Sequence, residues 1–136
     1  MTTRTGGCAC GAVRYEATAD PLFQAACYCR TCQYTAGGSP TLVMGMPAAA
    51  FKVTKGEPRV YWVVGDSGAR VGRAFCETCG TPVFSVPGEG SGMIAVKIGG
   101  LDDPSAFAPM ANIYLKDAQP WHHLAEGVAK FDGMPG

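Results

Sequence analysis

Hydrophobic and polar positions along this chain alternate in short runs instead of recurring every three or four residues. Arg4–Cys8 and Ala12–Ala19 read as two strands facing across the turn Cys10-Gly11, with Val13 and Tyr15 alternating with polar neighbours as in a half-buried strand. Leu22–Cys27 is a further short strand after Asp20-Pro21, and Arg30–Ala36 fits one helical turn stopped by Gly37-Gly38. Thr41–Gly45, Phe51–Thr54, Val60–Val64 and Arg70–Phe75 follow, separated by Met46-Pro47, Lys55-Gly56-Glu57-Pro58 and Gly65-Asp66-Ser67-Gly68. Each break is turn chemistry. Val83–Val86, Met93–Ile98 and Ala111–Leu115 complete about eight to ten strands. Leu101–Phe107 is expected to be a turn or short helix opened by Asp102 or Asp103 ahead of Pro104. Parallel βαβ units would need helices of ten or more residues between strands, and no 3.6-residue pattern of that length is present. The pattern predicts a mainly β protein built from antiparallel sheets.

Composition narrows the class. A length of 136 residues suits one domain, 1–136, and 47% hydrophobic against 16% charged residues marks a chain that folds. Nineteen glycines and ten prolines favour short strands over long helices. Eleven basic and eleven acidic residues cancel, so the chain lacks the basic field that drives phosphate-backbone binding. No nucleic-acid partner is expected, and Tyr61 and Trp62 read as strand residues packed against a sheet, not as stacking platforms for bases. Residues 1–7 lack the apolar core of a secretory signal, and the apolar stretch Thr41–Phe51 is broken by Pro47, far below the roughly 20 residues a bilayer span needs. The expectation is a cytoplasmic protein with no membrane association. In that reducing setting seven cysteines, an odd number, point to metal or redox chemistry instead of disulfides.

Every cysteine falls in a cluster: Cys8 and Cys10 in GGCACG, Cys27, Cys29 and Cys32 in CYCRTC, Cys76 and Cys79 in FCETCG. Cysteines one or two residues apart on a tight turn can both reach one tetrahedral ion at about 2.3 Å, and the following glycines, Gly11 and Gly80, let backbone amides turn toward the sulfurs. Structural zinc takes four protein ligands, whereas catalytic zinc takes three and keeps a position for water or substrate. Seven cysteines therefore divide as a structural zinc on Cys8, Cys10, Cys76 and Cys79 and a second, open zinc on Cys27, Cys29 and Cys32. Two alternatives compete: His122 or His123 closes the triplet into a second structural site, or Cys29 and Cys32 form a redox pair. The redox motif expects a βαβ setting that the chain lacks.

The segments GGCACGAVRYEA, CYCRTCQYTAGGSP, MPAAAFKVTKGEPRVY and FCETCGTPVF, in that order, resemble the glutathione-dependent formaldehyde-activating enzyme family, which also includes centromere protein V. The resemblance spans nearly the whole chain. It implies a β-tent fold of stacked antiparallel sheets, two zinc ions on the same four-plus-three division, and a carbon–sulfur lyase activity that joins formaldehyde to the thiol of glutathione as S-hydroxymethylglutathione. Tyr28 and Gln33 stand where family members commonly have His and Arg, and Asn112 where His is frequent. The lost cation removes a contact for a substrate carboxylate, with Arg30 as a possible replacement. Trp121 is either a wall of the pocket or a core residue.

A zinc held by three thiolates is a weak activator of water but suits a substrate thiolate, or the oxygen of a thiohemiacetal. Tyr28, His122 and His123 are the candidate proton carriers, and the expected partners are a small thiol such as glutathione and an aldehyde. The rival reading is a non-catalytic zinc-stabilised module that carries a thiol compound or docks a protein.

Overall fold

In the computed structural model, which describes residues 2–135, the alternation seen in the sequence becomes two sheets. The expected hairpin is β1 (Arg4–Gly7) and β2 (Arg14–Ala17), paired antiparallel with Gly6 opposite Tyr15. Strand β5 (Phe51–Lys55) joins β2 to complete a three-stranded sheet, β1-β2-β5. The remaining strands are β3 (Phe23–Cys27), β4 (Thr41–Pro47), β6 (Arg59–Val64), β7 (Arg70–Phe75), β8 (Pro82–Val86), β9 (Met93–Lys97), β10 (Ala111–Ile113) and β11 (Ala129–Lys130). They form an eight-stranded sheet in the order β11-β10-β3-β4-β9-β8-β7-β6.

Strand residues point alternately to opposite faces, and the large sheet uses both. On one face Met44, Met46, Phe84, Ile94 and Val96 pack against Val13, Tyr15, Ala17, Phe51 and Val53 of the small sheet. Ring contacts carry this packing, Tyr15 to Phe51 at 5.1 Å and Phe51 to Phe84 at 4.8 Å between centroids. On the other face Ala25, Cys27, Val43, Ala95 and Ile113 form a second cluster with Cys32 of helix α1 (Arg30–Thr35). Each sulfur cluster thus sits on a different face of one sheet: Cys8 and Cys76 belong to the first core, Cys27 and Cys32 to the second.

The sheets are mainly antiparallel, as expected, but β10 runs parallel to both β3 and β11. A parallel return needs a connection of about a dozen residues, not necessarily a helix. Residues 114–128 supply it with a 3-10 turn, Leu115–Asp117, followed by loops. Strand β11 was not expected: its two residues, Ala129 and Lys130, are exposed and show no apolar alternation. Residues 101–107 take the turn form of the two expected, with Asp103 Oδ1 accepting the Ser105 amide at 3.0 Å. Among the described residues no helix is long and apolar enough to cross a membrane.

Candidate metal centres

Two matching turns build the four-cysteine cluster. In the first, the Cys8 amide donates to the Val13 carbonyl at 3.0 Å and the Gly11 amide to the Cys8 carbonyl at 3.1 Å. In the second, the Cys76 amide donates to the Thr81 carbonyl at 3.0 Å and the Gly80 amide to the Cys76 carbonyl at 2.8 Å. Both turns need a residue at positive φ, 81° at Gly11 and 78° at Gly80, a region open to glycine without strain. The sulfurs of Cys8, Cys10, Cys76 and Cys79 lie within 4.8 Å of one another, at 3.6 Å for Cys8–Cys10 and 3.8 Å for Cys10–Cys76. An ion with four sulfurs at about 2.3 Å has edges of about 3.8 Å, whereas a disulfide would need about 2.05 Å. All seven cysteines are free, so the donor set fits a tetrahedral thiophilic ion.

Thr81 ties the two turns together. Its Oγ1 accepts the Ala9 amide at 3.1 Å and lies 3.1 Å from Cys79 Sγ. Chiefly through that hydroxyl contact, the Cys79 thiol is lowered to about 5. Thr81→Val keeps the side-chain shape but removes both contacts. It is expected to cost about 1 kcal/mol, read as a Tm roughly 3 to 5 °C lower in a thermal scan of metal-loaded protein.

Cys27, Cys29 and Cys32 come together at the end of β3 and the start of α1, again with sulfurs within 4.8 Å of one another. Cys29 caps the helix, its Sγ accepting the Cys32 amide at 3.3 Å, the place a serine or aspartate usually takes. Thr41 Oγ1 on β4 donates to the Cys32 carbonyl at 3.0 Å and fixes α1 to the sheet. Cys27 and Cys32 are buried, and Cys29 is the half-buried member. The Cys29 thiol is driven strongly down by hydrogen bonding from Cys27, then from Cys32, with the Arg73 charge adding to it. Cys27 is driven up, first by Cys29.

No histidine joins either group among the described residues. His122 is committed elsewhere: its Nδ1 accepts the Gln119 amide at 2.8 Å, so its Nε2 donates to the Gly38 carbonyl, also at 2.8 Å. It pins the turn after α1 to the C-terminal segment and stacks edge-on with buried Tyr28 at 5.0 Å. This corrects the expectation that His122 could close the triplet, and it occupies both ring nitrogens. His123 is exposed and outside both groups. Trp121 is neither wall nor core: it is 61% exposed and packs on His122 at 4.4 Å. Gln33 is a buried strut, its Nε2 donating to the Tyr28 and Asp117 carbonyls at 2.7 and 2.9 Å. Arg30 turns back to Gln33 Oε1 and lies over the Tyr34 ring, so it does not replace the missing cation. Asn112 is buried with its Nδ2 unpartnered. Trp62 packs as expected, beneath the Arg70 guanidinium at 4.5 Å, but Tyr61 is 62% exposed.

Three residues beside the triplet were not singled out in the sequence. Tyr114, whose φ of 58° is left-handed, packs against the triplet cluster and donates from Oη to Asp66 Oδ2 at 3.2 Å. Arg73 on β7 and Lys97 on β9 line a cavity of about 600 Å³ that also borders Thr31 and Thr35 of α1. Burial drives the Lys97 ammonium down, opposed by the Cys32 charge. A lysine or arginine within an alternating strand was the available signal, but which face it occupies depends on register.

The fold and these sulfur groups define a class: a small β protein with a four-cysteine and a three-cysteine site, each able to hold a metal ion. The model of the glutathione-dependent formaldehyde-activating enzyme family matches residues 3–117, and the chain belongs to that family. A crystal structure of a Rhodobacter sphaeroides protein is similar in fold, with 18% identity and a TM-score of 0.59 over 93% of this chain and 98% of that one. No curated protein matches.

Proposed function

We propose that this chain is a zinc-dependent carbon–sulfur lyase that forms or cleaves a thiol–formaldehyde adduct such as S-hydroxymethylglutathione. One observation carries the reading. Three cysteine sulfurs from one short segment converge, among the described residues without a fourth cysteine or a histidine, on the sheet face that also bears a cavity. In this reading Cys8, Cys10, Cys76 and Cys79 hold a structural zinc, and Cys27, Cys29 and Cys32 hold the second. The whole chain then acts as one cytoplasmic zinc-binding domain. The family to which the chain belongs supports glutathione and formaldehyde as the substrates.

A zinc ion on three thiolates supplies a soft acceptor for a substrate thiolate and a modest Lewis acid for oxygen. The reaction is redox-neutral: a carbon–sulfur bond forms, the carbonyl π pair moves to oxygen, and the thiol proton ends on that oxygen. The chain's part is to hold and orient. The sulfur of Cys29, the half-buried ligand, is held by the Cys32 amide, and Thr41 in turn fixes Cys32 through its carbonyl. Tyr114, hydrogen-bonded to exposed Asp66, offers a route by which the proton exchanges with solvent.

The test is the rate of S-hydroxymethylglutathione formation and cleavage with zinc-loaded protein. Acceleration over buffer is expected, with the uncatalysed addition, itself measurable, as the baseline. A rate equal to buffer at saturating zinc would convert the reading to a thiol-carrying module.

A further inference from the structure

Strand register places a row of residues on the face that holds the triplet. Tyr61 lies opposite Arg73, Arg73 opposite Ser85, and Ser85 opposite Ala95. Two residues beyond Ala95, on the same face, is Lys97, opposite Val43, which lies opposite Ala25. Cys27 is two residues further along β3. Arg73 and Lys97 therefore share one face, two strands apart across β8 and offset diagonally by two residues, with small Ser85 and Ala95 in the row beside them, and Lys97 stands on the side of the sulfurs.

Neither cation has an acidic partner among the described residues, whose ion pairs are Arg14–Asp102, Arg59–Glu77 and Arg70–Glu89. Arg73 Nη1 is buried with no hydrogen-bond acceptor at all. A buried charged donor left unpaired is costly, so such an atom marks a place where a ligand brings the acceptor. Both side chains line the cavity whose walls include Val63, Phe75 and Pro82, apolar surroundings in which a charge pair is strengthened. Balancing the thiolates does not explain both cations. Three thiolates with one divalent ion carry a net charge of about −1, so two cations leave one positive charge over.

We infer that Arg73 and Lys97 form a seat for one carboxylate beside the three-cysteine site, and that they select thiol substrates carrying that carboxylate. The inference rests on the reading of the site given above and names its substrate class.

The experiment measures binding and turnover separately in zinc-loaded protein. Calorimetric affinities are compared for 3-mercaptopropionate and its methyl ester, and for glutathione and its diester. Wild-type protein is expected to prefer the acids by roughly 10- to 100-fold. Arg73→Met and Lys97→Met should each collapse that ratio to near unity with zinc content unchanged, and Arg73→Lys should restore part of it. Under turnover the same variants should raise KM for glutathione more than they lower kcat. Equal affinity for acid and ester in the wild type overturns the inference, as does a parallel loss of both in the variants, the signature of a structural role. Selective acid binding without turnover supports the seat while overturning the lyase reading, so the two failures are distinct.

Discussion

Cys29→Ser is expected to lower the zinc content from two ions per chain to one and to remove the acceleration of S-hydroxymethylglutathione chemistry, with the fold left intact. The residue's position makes this separation possible. Cys29 is only half-buried and caps a six-residue helix, and serine is among the best residues at a helix N-cap. The substituted hydroxyl can keep the contact to the Cys32 amide, so α1 remains docked through Thr41 and through Gln33 to the Tyr28 and Asp117 carbonyls. The ion, however, loses one of three thiolates, leaving Cys27 and Cys32 as an inadequate pair. The rate loss should exceed the 10- to 100-fold, roughly, seen when groups that only orient metal ligands are removed. Elemental analysis, far-ultraviolet circular dichroism and the rate assay on one preparation check all three parts. Two zinc ions retained in Cys29→Ser protein would remove the three-cysteine site from the proposal.

The sulfur groupings were legible because their geometry is local. Cys8-Ala9-Cys10-Gly11 and Cys76-Glu77-Thr78-Cys79-Gly80 each encode a turn that directs two sulfurs to one side, and only the meeting of the two turns is long-range. The strands were legible for the same reason: alternation such as that of Arg14–Ala17 is written in adjacent residues. What the chain hides is register. Arg73 in RVGRAF and Lys97 in MIAVKIGG each look like the solvent-facing half of a strand, and their common face appears only when β8 and β9 align Ser85 with Ala95. His122 misled for a related reason. A histidine near the chain end reads as a free ligand, while its two backbone partners, at Gln119 and Gly38, lie 3 and 84 residues away. The parallel placement of β10 and β11 was hidden because an irregular crossover carries no periodicity.

Cys76→Ser, by contrast, is expected to unfold the chain. Cys76 is 2% exposed and Cys8 6%, and both are members of the principal core beside Val13, Tyr15 and Val83. An ion on these sulfurs would cross-link the turn after β1 to the turn between β7 and β8, joining the small sheet to the large one. Structural zinc contributes about 10 to 16 kcal/mol of apparent binding energy in small domains, against a typical net stability of about 5 to 15 kcal/mol. Loss of that ion thus consumes most or all of the margin, and serine leaves a buried hydroxyl among sulfurs with no partner in place. Cys79→Ser should be milder. Cys79 is exposed, so water can reach the vacated corner of the tetrahedron. A Cys79→Ser protein that melts cooperatively below wild type, and a Cys76→Ser protein that has lost both ions and shows no cooperative transition, are the expected results of thermal scans with zinc counting. A Cys76→Ser protein that melts with the wild-type transition would show that the two sheets are held by the Tyr15–Phe51–Phe84 packing without need of the ion.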